Sequence, residues 1–230
     1  IEYIQSIIEN KAYKKIINHK NYSPRIIEQL TTKLNNIDAN NYATQFIQNL
    51  DYPFGIWDKA FNSQISEGSK FTLYSLLSIS NPILLSDFKE ALKYYYNNGT
   101  KDIKLDFKPF DFKNYLKELE NSFIKINVTD KKNHYVDFLN PSIKDFLLTI
   151  VRKEKDIVFL LIKSCLYFDQ FIYTIRYLSS NFMDDEDIKN LIDSKILSDF
   201  KTFSNPQKIY SNQKETATNI SAIQKIHSLK

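Results

Sequence analysis

Apolar residues recur at intervals of three and four over Ile4, Ile7, Ile8, Ala12, Ile16 and Ile17, the spacing of one helix face. Residues 19–22 interrupt it. Ser23 and Pro24 then give a start signal: a hydroxyl able to cap free N–H groups, followed by a ring whose fixed φ suits the first helical position. The second helix runs through Ile26, Ile27 and Leu30 to about residue 34. Two short helices are predicted over 42–50 and 54–65, separated by Pro53, whose ring and missing N–H oppose continuation.

The next stretch carries a distinctive order. Residues 69–79 are apolar at helical spacing (Phe71, Leu73, Leu76, Leu77) and stop at Asn81-Pro82. Ile83, Leu84 and Leu85 suit a short strand, and Ser86 is expected to cap a helix over 87–97 with Phe88, Ala91, Leu92 and Tyr95 on one face. Asn98-Gly99 ends it, and a third helix is predicted over 110–121, where Phe112, Tyr115, Leu116 and Leu119 keep the helical period. The period then falls to two: Ile124, Ile126 and Val128 alternate with polar residues, and a turn at 130–133 leads into Tyr135, Val136 and Phe138. That is a β-hairpin. Helix, strand, helix, helix, hairpin is the order of a winged helix-turn-helix. After Pro141 the pattern is helical again to about residue 200, and beyond Ser204 polarity rises, as in a tail, linker or peripheral helix. The expected fold is mainly α with a small β-hairpin. Its parts are helical lid and linker helices over 1–66, a winged helix over 67–140, a helical array over 141–203 and a polar segment over 204–230.

Composition sharpens this picture. Three glycines (Gly55, Gly68, Gly99) and six prolines in 230 residues argue against an all-β protein. No glycine opens a phosphate-cradling loop of Walker A or dinucleotide-binding type. Most of the net charge of +4 sits beyond Ser204, on Lys208, Lys214, Lys225 and Lys230 against Glu215, so the preceding body is near neutral. No apolar run approaches the roughly 18 residues of a membrane span, and no signal peptide is visible. A single cysteine, Cys165, forms no intrachain disulfide, which suits a reducing compartment; a cytoplasmic protein is expected. The start at Ile1 reads as that of a piece from a longer chain.

Candidate chemistry is sparse. His19, His134 and His227 have no ligand-pair spacing, Cys165 reads as a buried structural thiol, and the acidic run at 184–187 reads as a first helical turn. The expected recognition helix carries Lys113 and Lys117 against Asp111, Glu118 and Glu120, a net negative balance. Specific duplex DNA binding is therefore not expected; at most the tail lysines would give weak, salt-dependent binding. Two motifs remain. In NYSPRIIE (21–28), Arg25 falls in the first turn of a Pro-started helix, where free N–H groups, the dipole and a guanidinium fork suit a phosphate. In VDFLNPSIKDFL (136–147), a strand ends at Phe138-Leu139 and a helix starts with Asn140 as cap and Pro141 and Ser142 in its first turn.

Together, in this order, the two motifs resemble the STAND class of P-loop NTPases, in particular the NACHT-like, novel STAND branch of bacterial antiphage defence. NYSPRIIE resembles the motif opening the helical lid; the region around Trp57 resembles the lead-in to the winged helix; VDFLNPSIKDFL resembles the end of that winged helix, with Asp145-Phe146 matching its acidic-aromatic pair. The resemblance covers residues 1–152. It implies that Pro24 and Arg25 face the nucleotide, with Arg25 as phosphate sensor and Asn21, Tyr22, Ser23, Ser142 and Asp145 in support. Asn140 falls where NACHT-type members place a histidine; an amide donates a neutral hydrogen bond but carries no charge. ATP or ADP with Mg²⁺ would be held by an upstream NTPase core of the same chain. These residues alone would be no enzyme and would bind nucleotide weakly. A sensed ligand, such as a phage protein, would trigger homo-oligomer assembly, with no membrane involved. The competing reading is a stand-alone winged-helix protein that binds DNA or recruits a partner.

Overall fold

The computed structural model describes residues 2–22, 24–32, 38–98, 109–129 and 132–203. The chain divides into two compact units: Ile1–Ile65 with Asn140–Phe146, and Ser66–Leu139 with Leu147–Lys230.

The first unit is helical. It contains α1 (Glu2–Ile8), α2 (Ala12–Ile17), α3 (Pro24–Thr32), α4 (Tyr42–Asp51) and α5 (Phe54–Ser63). The helix expected over 4–17 is broken by a 3₁₀ turn, Glu9–Lys11, at whose end Lys11 adopts a left-handed φ of 55°. The break splits the apolar stripe: Ala12 and Ile16 are buried, but Ile4, Ile8 and Ile17 are exposed. On α4, Tyr42, Phe46 and Leu50 face inward at a spacing of four. Tyr42 meets Tyr3 of α1 edge to face at 5.1 Å, and the Ser6 hydroxyl accepts the Ala43 N–H at 3.1 Å. Pro53 separates α4 from α5, as its chemistry requires. The inward face of α5 carries Trp57, Ala60 and Phe61.

The second unit is built on α6 (Glu67–Leu77), β1 (Ile83–Leu84), α7 (Leu85–Asn98), α8 (Pro109–Leu119), β2 (Ile124–Val128) and β3 (His134–Phe138). The strands form one antiparallel sheet in the order β1-β3-β2, with Val136 opposite both Ile83 and Ile126. This is the connectivity of a winged helix, with β2 and β3 as the wing. Ser86 lies inside the first turn of α7, because β1 passes into the helix without a connecting loop. Asn121, at φ 60°, and the bonds from Ser122 and Phe123 N–H to the Leu119 carbonyl end α8. Gly99 and the turn residues Asp130 and Lys131 lie outside the described residues.

Among the described residues, four α-helices follow the sheet: α9 (Pro141–Val151), α10 (Lys155–Lys163), α11 (Phe168–Tyr173), continued by a π turn at Thr174–Leu178, and α12 (Glu186–Phe203). Polar side chains fix α10–α12 within the second unit. The Gln170 amide donates to Ser78 Oγ at 2.8 Å, and the Tyr167 hydroxyl donates to the Asp87 carbonyl at 3.2 Å. Lys195, almost fully buried on α12, donates to the Lys163 carbonyl at 2.8 Å and pairs with Asp199 at 2.5 Å. An isolated buried ammonium would be costly; the carboxylate and carbonyl offset that.

Candidate functional site

The first motif, and the Asn140–Phe146 part of the second, fall in the first unit, although they lie far apart along the chain. The lead-in to α3 is held by a relay. Asn21 is buried, and its amide donates to the Leu50 carbonyl at 2.9 Å. Its backbone N–H donates to His19 Nδ1 at 3.1 Å, which makes Nδ1 the acceptor. The imidazole proton then sits on Nε2, which meets Asp51 Oδ1 at 3.0 Å. The Tyr22 N–H donates to the His19 carbonyl at 2.9 Å. Residues 19–22 are thereby tied to the C-terminal end of α4. Pro24 is the exposed first residue of α3, and Ile26 is fully buried. Ser23, expected as the cap, and the Arg25 side chain lie outside the described residues.

The second motif forms a strand-to-helix corner. Asn140 caps α9: its Oδ1 accepts the Ser142 N–H at 2.9 Å and the Ser142 hydroxyl at 2.7 Å. Ser142 Oγ in turn accepts the Trp57 indole N–H at 2.9 Å. All three side chains are buried, and each hydrogen bond satisfies a group that burial would otherwise penalise. Phe146 meets Phe54 and Phe61 edge to face at 6.1 and 5.7 Å. Asp145, its neighbour, is exposed. The helices around Trp57 and the corner at Asn140 thus share one polar chain and one aromatic cluster.

The remaining candidates are structural. Cys165 is fully buried, and burial pushes its thiol up to about 12, out of the nucleophilic range. Of the acidic run, Asp185 caps α12 by accepting the Asp187 and Ile188 N–H groups. Lys155 bridges Asp185 and Asp187 at 2.7 Å each. Hydrogen bonding to Lys155 holds the Asp185 carboxyl below its ordinary value. Among the described residues no group of three His, Cys, Asp or Glu could hold a metal ion, and no helix is long and apolar enough to cross a membrane.

His19 and Trp57 take the largest unforeseen roles. His19 reads in the sequence as an inert surface residue, because its partner Asp51 lies thirty-two positions away. Trp57 carries no local sign that its indole will reach Ser142. A scan against protein-family models, a search of curated proteins and a search of solved structures each found no match.

Proposed function

We propose that the chain is the regulatory part of a STAND-class NTPase, which controls nucleotide-dependent switching and assembly in a protein of bacterial antiphage defence. One observation carries this reading: the Pro24 helix start and the Asn140 corner, the two motifs with NACHT-like character, belong to one compact unit although the whole winged helix lies between them in sequence. The relay from Asp51 through His19 to Asn21 fixes residues 19–21, a short way before Pro24, and supports a pre-set approach to a phosphate-facing turn. The winged helix between the motifs matches the segment order of that class.

In this reading a core on the same chain supplies ATP or ADP and Mg²⁺, since the three glycines here build no phosphate loop. Arg25 supplies a charge-assisted contact to a nucleotide phosphate. Asn140 has its oxygen engaged by Ser142, so a contact from it to nucleotide runs through its NH₂ group. Asp145 and Ser142 support the corner. A ligand on a sensor region shifts the protein from its ADP-held state to assembly.

The test is ATP and ADP affinity, and ligand-triggered assembly, of the complete protein carrying Arg25→Ala or Arg25→Lys. A charge-assisted hydrogen bond is worth about 1.5–3 kcal/mol, so Arg25→Ala should weaken nucleotide binding about tenfold to a hundredfold and abolish assembly. Arg25→Lys should recover part of this, because an ammonium lacks the guanidinium fork. Wild-type affinity and assembly in Arg25→Ala would overturn the assignment.

A further inference from the structure

Within the second unit, α10 and α12 lie side by side and run in the same direction. Lys155 meets Asp187 at 2.7 Å near their N-terminal ends, and Lys195 reaches the Lys163 carbonyl farther along. Between them is an open groove of about 750 Å³. Of its lining, Phe159 and Leu191 are apolar and only partly buried, and Asp156, Asn190 and Ser194 are exposed. Leu197 follows Asn190 and Ser194 at i+7 and i+3 and so continues the same face of α12. It is 81% exposed, more than any other large apolar side chain among the described residues. The surface thus has an apolar stretch with nothing on it.

Charge along the groove is graded. Residues 153–156 and 184–189, at the N-terminal ends of the two helices, carry six acids against three lysines. Lys155 pairs with Asp185 and Asp187, and Lys189 with Glu186; Asp156 and Asp184 have no ion pair among the described residues. Residues 204–230 have the opposite balance, four lysines against Glu215. Their sequence also carries an apolar stripe. Ile220, Ile223, Ile226 and Leu229, with Ala222, share one side of a helical projection, and Ser221, Gln224, Lys225 and Ser228 share the other. A helix over 220–229 is about 15 Å long, the same rise as from Asp187 to Leu197 on α12.

We propose that residues 219–229 of this chain dock as an amphipathic helix in the groove between α10 and α12, antiparallel to α12. The structure describes α12 to Phe203, and Asn205-Pro206 opposes its continuation. Returning from Phe203 to the level of Leu197 takes about 9 Å along the axis, and residues 204–218 span several times that when extended. The antiparallel sense puts Ile220 and Ile223 beside Leu197, Leu191 and Phe159. It brings Lys225 and Lys230 to the acidic end, beside Asp156 and Asp184. The negative C-terminal end of the docked helix then meets the positive N-terminal ends of α10 and α12. Tethering favours the contact further, since a short linker holds a segment at an effective concentration of about millimolar. The site is independent of nucleotide binding at the first unit.

The experiment is disulfide trapping in the 230-residue chain carrying Leu197→Cys and Ile220→Cys, oxidised with oxidised glutathione and read on non-reducing gels. The native Cys165 is fully buried and does not compete. An intrachain disulfide should form at least about tenfold faster than in the same pair carrying Ile223→Asp and Ile226→Asp, where only the tether acts. Asp156→Lys with Asp184→Lys, at exposed positions, should slow trapping about threefold or more. A second measurement needs no new cysteine: amides of 219–229 should exchange about tenfold slower in wild type than in Leu197→Asp, whose exposed position leaves the fold intact. Equal trapping rates with and without the Ile223→Asp/Ile226→Asp pair, or equal exchange in wild type and Leu197→Asp, would overturn the proposal. So would a disulfide-linked dimer as the main product, which would put the segment on a second copy. Protection of 219–229 that arises only with phosphatidylserine vesicles would assign the segment to a lipid surface and overturn it too.

Discussion

At Glu118 a near-surface carboxylate accepts the Ser66 N–H at 3.0 Å, the Ser66 hydroxyl at 2.7 Å and the Ser69 hydroxyl. Partial burial pushes its pKa up, but the hydrogen bonds from Ser69 and Ser66 outweigh this and hold the carboxyl below its ordinary value. A carboxylate more acidic in the folded state stabilises the fold above its unfolded pKa of about 4.3, and that stabilisation is lost as pH falls through the folded value. Glu118→Gln should therefore cost about 0.5–2 kcal/mol near neutral pH, the range of a lost helix cap, and the difference from wild type should close below about pH 4. Urea denaturation across pH measures this, and a gap independent of pH would contradict the account. Gly68 sits in the same contact: a Cβ there would overlap the end of the Tyr115 ring, so any larger residue displaces that ring. None of these pairings is legible in sequence. Ser66 and Glu118 are fifty-two residues apart, and only the packing of α6 on α8 joins them.

Among the elements, the winged helix was the most legible part, because its signals are local. Asn81-Pro82 stops α6, the change from a period of three and four to a period of two marks β2 and β3, and Phe112, Leu116 and Leu119 mark the inner face of α8. Where local signals mislead, the reason is specific. Lys11 takes a left-handed conformation with no Gly or Asn to announce it, so α1 and α2 read as one helix. Ser86 looks like a cap, but α7 begins at Leu85, before it. The inner face of α8 gives a direct check. Phe112 is buried and packs on Phe88 at 6.0 Å between ring centres, so Phe112→Ala should cost about 3–5 kcal/mol in chemical denaturation. Lys113→Ala, on the outer face, should change stability by less than about 0.5 kcal/mol. Equal effects would show that the helix is turned otherwise.

At the scale of the whole molecule, the second unit gathers the winged helix and α10–α12 through Gln170, Tyr167 and the buried Lys195. The first unit gathers α1–α5 and the Asn140–Phe146 corner through Trp57, Ser142 and the Phe54–Phe146–Phe61 cluster. The sequence marked the two motifs, because a Ser-Pro helix start and an Asn-Pro-Ser cap are short-range signals. It could not mark their common unit, since the indole that reaches Ser142 lies eighty-five residues before it. The central claim is that these two motifs face a bound nucleotide. Amide hydrogen exchange of the complete protein, with and without ADP, tests it most directly. The account predicts slower exchange on ADP binding in both 21–28 and 136–147, with the β2 strand unchanged; equal exchange in both segments with and without ADP, while ADP is bound, would contradict it.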